Sequence, residues 1–91
     1  MKTINIKVEN NNKFINNRTL DEIMKDFNSF DSEFNVIKNL FLKISTEEDL
    51  IMELRLIKKN HTPAEILFFI KILGNISISE ANHIFEEVFE G

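Results

Sequence analysis

The chain has no cysteine, tryptophan or tyrosine, one proline (Pro63), two glycines (Gly74 and Gly91) and two arginines (Arg18 and Arg55). Each scarcity removes a class of function. Without cysteine there is no disulfide framework and no thiolate metal site, and a disulfide-free small domain suits a reducing compartment. Two isolated glycines cannot form the Gly-rich loop that cradles a nucleotide phosphate. Two arginines and a net charge of −4 argue against direct nucleic-acid binding, because cationic contacts to phosphate supply most of that affinity. The longest uninterrupted apolar run, residues 66–70, falls far short of the roughly 20 residues that a membrane span needs. The opening Met1-Lys2-Thr3-Ile4-Asn5 lacks the apolar stretch of a secretory signal. The expectation is a cytoplasmic domain with no membrane association.

What is present is a core. Of the 91 residues 43% are hydrophobic, nine of them Phe, which is enough for one domain and argues against disorder. The richness in Ile, Asn and Lys is what an AT-rich genome produces, so Asn and Lys counts carry no functional weight. The charge is unevenly spread. Residues 1–45 hold seven basic and six acidic side chains, and residues 46–59 hold three and four. Residues 60–91 hold one basic side chain, Lys71, against five Glu. Nearly all the net negative charge therefore lies in the last third, as a solvated helix face or as a face for a basic partner.

Along the chain, Ile4, Ile6 and Val8 alternate with Asn5 and Lys7, the period of a half-buried strand. Asn10-Asn11-Asn12 is a turn signal, because Asn tolerates left-handed backbone, and Lys13-Phe14-Ile15 returns as a second strand. Thr19 and Glu22 form a capping box, in which the hydroxyl and the carboxylate each satisfy a free backbone N–H. It opens a helix over 20–29 carrying Leu20, Ile23, Met24 and Phe27. Asp31 or Ser32 caps a helix over 32–44, with Phe34, Ile37, Leu40, Phe41 and Ile44 on one face and Leu42 as the misfit. Thr62-Pro63-Ala64-Glu65 joins a capping box to a proline at the first helical position. The helix it opens, 63–73, stops at Gly74 and is apolar almost all round. Ser77 and Glu80 cap the last helix, 78–90. Its inner stripe is Ile78, Ala81, Phe85, Val88 and Phe89, and Glu80, His83, Glu86, Glu87 and Glu90 face outward.

Residues 45–60 are ambiguous. Ser45-Thr46-Glu47-Glu48-Asp49 reads as a helix start and Lys58-Lys59 as a helix end. On a helical wheel, however, Met52 and Leu56 fall away from Leu50, Leu54 and Ile57. As a strand, Leu50, Met52, Leu54 and Leu56 share one face, and the strand near 50–57 is the favoured reading. The expected fold is α+β: a small antiparallel sheet, made of the N-terminal hairpin and that strand, packed by about four helices. The alternative is a mainly α domain, should 46–60 be helical.

From residue 50 onward the order strand, apolar helix with Ile70-Lys71, turn, and helix opening on Glu80-Ala81 and running through Ile84-Phe85-Glu86 resembles the first half of the C-terminal domain of the bacterial ribosomal stalk protein. The resemblance spans about 40 residues. It departs from the family in a Ser-based turn where the family has glycines, and in lacking most of the family's basic residues on these helices. It implies a local fold and no ribosomal role.

No arrangement of side chains suggests catalysis. The hydroxyls of Thr19, Ser45 or Thr46, Thr62 and Ser77 are accounted for as caps, and carboxylate pairs such as Glu47-Glu48 and Glu86-Glu87 sit at helix ends or exposed positions, whereas acid–base work wants a pair in a cleft. His83 lies three and four residues from Glu80 and Glu87, a spacing common in acidic helices and short of the three or four strong ligands of a zinc site. His61 lies in a loop before a cap. No cofactor and no metal are expected. Phe68-Phe69 is the notable apolar feature: both are expected to be buried between flanking elements, or one serves as a docking face. The reading is a non-enzymatic, acidic, protein-binding domain of the immunity type, which neutralises a partner toxin or nuclease. Its candidate contact residues are Glu80, His83, Glu86, Glu87, Glu90, Phe68 and Phe69. The alternatives are a homo-oligomer formed through the 66–73 helix and a phage-encoded inhibitor of a host nucleic-acid enzyme.

Overall fold

A computed structural model of the chain describes residues 4–25, 27 and 31–90. It has an N-terminal hairpin, β1 (Ile6–Glu9) and β2 (Asn12–Ile15), followed by five helices: α1 (Leu20–Met24), α2 (Ser32–Lys43), α3 (Glu47–Ile57), α4 (Pro63–Gly74) and α5 (Ile78–Phe89). The fold class is α+β, with one two-stranded antiparallel sheet.

The hairpin is set by asparagine. Ile6 pairs with Ile15 and Glu9 with Asn12, so the connection is the two residues Asn10 and Asn11, both at positive φ. A two-residue turn with both centres left-handed matches the twist of paired strands. Asn16 and Asn17, also at positive φ, repeat the device where Ile15 and Arg18 exchange backbone hydrogen bonds of 3.0 and 3.1 Å. The expected alternation holds at the base only. Ile4 and Ile15 are buried, whereas Val8, near the hairpin tip, is 57% exposed.

Four helices open on capping boxes: Thr19 with Glu22, Thr46 with Asp49, Thr62 with Glu65 and Ser77 with Glu80. Each such cap contributes about 1 kcal/mol. The helix expected over 20–29 is helical over Leu20–Met24, with Lys25 at its C-cap. Phe27 sits in a bend, and residues 26, 28 and 29 of that expectation lie outside the described residues.

The strand expected near 50–57 is a helix, so the sheet has two strands and not three. The capping box of Thr46 and Asp49 fixes the first turn, and Leu50 and Leu54 anchor the inner face at 0% exposure. Met52 and Leu56, whose spacing suggested a strand, are simply left outside, at 61% and 52% exposure. A short 3-10 turn, Lys58–Asn60, continues α3.

The end of α4 also differs in detail. Gly74 is the last helical residue, and the left-handed residue is Asn75. Asn75 donates to the Ile72 carbonyl and Ile76 to that of Lys71, the paired bonds of a Schellman motif. Gly74 serves packing instead. A Cβ there would lie 3.2 Å from Ile4 Cγ1, so glycine lets the N-terminal segment cross the helix end. In α5 the buried residues are Ala81, Ile84 and Val88, while Ile78, expected on the stripe, is 56% exposed.

The buried side chains form one cluster drawn from β2 and the five helices, with Ile4 ahead of β1, and include Ile37, Leu40, Leu54, Ile66, Phe69, Ile70, Leu73 and Ile84. Cationic side chains then tie the helix ends together. Lys13 Nζ donates to the carbonyls of Phe41 (2.8 Å) and Leu42 (3.1 Å) at the end of α2. Arg18 donates to Ile72 at the end of α4 (2.8 Å), and Arg55 of α3 donates to Val88 at the end of α5 (3.2 and 3.3 Å). Positive charge at helix C-termini complements the helix dipole.

Candidate functional site

The candidate residues separate into two places. On α5, successive residues turn by about 100°, so Glu80, His83, Glu87 and Glu90 follow one outer ridge with Glu86 beside it, and all five are exposed. His83, Glu86, Glu87 and Glu90 line one shallow, open depression. Glu80 stands apart in role. Its carboxylate accepts from the Ser77 backbone N–H at 3.2 Å and from the Ser77 hydroxyl at 3.1 Å, so it holds the start of the helix. Glu86 accepts from Asn82 Nδ2 one turn earlier, at 3.2 Å.

The location of the remaining carboxylates is electrostatically adverse for folding. Glu86, Glu87 and Glu90 cluster at the C-terminal end of α5, which has no basic residue in its own last turn. The carbonyl end of a helix carries partial negative charge, and each acidic group placed there costs a few tenths of a kcal/mol. Arg55 offsets this from α3 through its bonds to the Val88 carbonyl. Lys58 lies 4.5 Å above the Phe89 ring and 6.0 Å from that of Phe85.

The Phe68-Phe69 pair divides. Phe69 is 1% exposed and belongs to the core, where its ring meets the edge of His61 at 5.2 Å. Phe68 is 37% exposed and packs edge-on against Phe27, with ring centroids 6.2 Å apart. The expectation that both are buried therefore holds for Phe69 only. Phe68 lines a shallow depression with Glu33, Ala64 and Glu65, which shares no residue with the depression on α5. His61 faces Glu65, with Nδ1 3.6 Å from Oε2.

Among the described residues, no group of three or more His, Asp or Glu is placed to hold a metal ion, and no helix is long and apolar enough to cross a membrane. The hydrogen bonds from Thr19 and Thr62 hold the carboxyls of Glu22 and Glu65 below the usual range. Both are caps. Burial lowers the Lys13 ammonium, partly countered by the negative charge of Asp49.

The chain matches no protein-family model, no curated protein and no solved structure. Its function is argued from its own geometry.

Two surface features were not legible as sites in the sequence. One is the α5 end as a distinct negative pole, because the bond of Asn82 to Glu86 and the hold of Arg55 on Val88 emerge only in the fold. The other is the outer face of α3, whose apolar residues the strand reading had placed in the core.

Proposed function

We propose that the chain is a non-catalytic protein-binding domain of the immunity type. Its α5 end enters the basic cleft of a partner toxin or nuclease and blocks it. The observation that carries this reading is the set of exposed carboxylates Glu86, Glu87 and Glu90 at the negative pole of α5, with His83 beside them. Folding alone disfavours acidic groups at that position, so a selective reason for them is best sought in binding. Toxic nucleases present cationic clefts, and a negative pole on a rigid helix speeds association and gains specificity by electrostatic steering. Arg55 and the Phe85–Phe89 pair, whose rings lie 4.7 Å apart, anchor the pole to the core, so the charges are presented with little ordering cost.

The test replaces Glu86, Glu87 and Glu90 together with Lys and leaves Glu80 in place as a cap. Immobilised wild type and triple variant are exposed to lysate of the source cells, and the retained proteins are identified by mass spectrometry. The reading expects a basic protein held by wild type, released by salt, lost from the triple variant, and inhibited in its own activity by the free chain. Equal retention by both forms refutes it.

A further inference from the structure

The outer face of α3 carries an apolar pair, Met52 and Leu56, that neither the core nor the α5 pole uses. With Met52 taken as its centre, Glu48 and Leu56 lie one turn to either side, about 40° off the centre line, with Arg55 and Lys59 alongside at the far end. The opposite side, Leu50, Leu54 and Ile57, faces the core. All five outer residues are exposed, and Met52 and Leu56, at 61% and 52%, are among the most exposed large apolar side chains described. The face is also charge-polarised along its length. Glu48 stands at its start, and Arg55 and Lys59 stand at its end.

Such a face is complementary to itself when reversed. We propose that it is the contact surface for a second copy of this chain, with the two α3 helices packed antiparallel about a two-fold axis at Met52. Met52 then meets its own counterpart, and Leu56 of each copy covers the turn at Glu48 of the other. Glu48 of one copy comes beside Arg55 and Lys59 of the other, twice by symmetry. The antiparallel order also sets opposite helix poles side by side, whereas a parallel order would face Glu48 with Glu48 and Lys59 with Lys59. Methionine at the axis suits the role, since its unbranched side chain adapts to a twin. A contact of three helical turns lies at the small end of interfaces, below about 1,200 Å² in total. The dimer is accordingly weak, with Kd on the order of 100 µM. Arg55 also supports the α5 end, but Met52, Glu48 and Lys59, which the test replaces, do not, so the two readings are tested independently.

The full chain is followed by sedimentation equilibrium from about 10 µM to about 1 mM, a range that brackets the expected Kd. The expected result is a monomer–dimer equilibrium. Met52→Glu abolishes it, and Glu48→Lys or Lys59→Glu alone weakens it about tenfold. The double exchange Glu48→Lys/Lys59→Glu restores it. Because the chain has no cysteine, Met52→Cys is a clean reporter of geometry. Under air oxidation it cross-links across the two-fold. Lys59→Cys does not, because its two copies stand about 23 Å apart along the antiparallel helices, at 1.5 Å rise per residue to Ile57 and about 2.0 Å in the 3-10 turn. Circular dichroism of each variant confirms folding. A monomer throughout the concentration range, association that survives Met52→Glu, or cross-linking through Lys59→Cys overturns the proposal. Association unchanged in the Glu86, Glu87 and Glu90 triple variant is expected, and its loss there would assign self-contact to α5 instead.

Discussion

Asn16 joins three parts of the domain through one side chain, and its replacement separates three energetic terms. Its Oδ1 accepts from the Asn5 backbone N–H at 2.7 Å, its Nδ2 donates to the Gly74 carbonyl at 2.7 Å, and its backbone sits at φ 50°. The bond to Gly74 is part-buried and contributes about 1 kcal/mol, and the exposed bond to Asn5 about 0.5 kcal/mol. Left-handed backbone adds about 1 kcal/mol when Asn is exchanged for Ala. Asn16→Ala is therefore expected to cost about 2.5 kcal/mol and Asn16→Gly about 1.5 kcal/mol, since glycine removes only the backbone term. Asn16→Asp keeps the acceptor and the shape. It loses the donor and sets a carboxylate against the negative end of α4, for about 1.5–2 kcal/mol. At about 4–8 °C per kcal/mol for a domain of this size, Asn16→Ala lowers Tm by roughly 10–20 °C. Urea titration followed by far-ultraviolet circular dichroism measures all three. The Asp variant carries an internal control. Its protonated carboxyl regains a donor toward Gly74, so its folded pKa lies above the unfolded value of about 3.9. The deficit relative to wild type then narrows as pH falls through the raised folded value and is smallest below the unfolded one. An Asn16→Asp loss under about 0.5 kcal/mol at neutral pH, or one that does not change with pH, refutes the assigned bond.

The divided phenylalanine pair gives a second expectation: Phe69→Ala costs about 3–5 kcal/mol as a cavity in the core, and Phe68→Ala about 1 kcal/mol. Equal losses by denaturant titration would contradict the burial of Phe69 alone. A third concerns acid. The folded carboxyls of Glu22 and Glu65 lie below their ordinary 4.5 because Thr19 and Thr62 hydrogen-bond to them. Their contribution is present above pH 4.5 and is lost as pH falls through the lowered folded values. Glu22→Gln/Glu65→Gln should flatten the acid limb of the stability curve, and an unchanged limb would show that these caps do not set it.

Much of the helical framework was legible because capping is local chemistry. Thr19, Thr62 and Ser77 each announce a helix start within four residues, and the structure places a cap at each. Residues 50–57 misled because periodicity reports burial only when every apolar residue is buried. Met52 and Leu56 are exposed, so an alternating pattern arose on a helix whose start is fixed by the box of Thr46 with Asp49. Asparagine has a structural role throughout. All five described non-Gly residues at positive φ are Asn, so in a chain with two glycines asparagine takes over the left-handed positions. At the site, the outward facing of Glu80, His83, Glu86, Glu87 and Glu90 was readable from the helical period. The role of Glu80 as a cap was readable from Ser77, whereas the hold of Arg55 on the α5 end joins residues 33 positions apart and leaves no trace in local sequence.

The hairpin's long-range bonds also bear on the order in which the molecule assembles. Lys13 reaches residues 28 and 29 positions later, Arg18 a residue 54 later, and Asn16 a residue 58 later. A lone two-stranded hairpin is marginal in water. The hairpin segment, made before the helices it bonds to, thus waits for α2 and then for the end of α4 before its bonds can form. It acts as the closing fastener of a helical body that assembles from local contacts, and a segment made ahead of its partners is among the last to be secured.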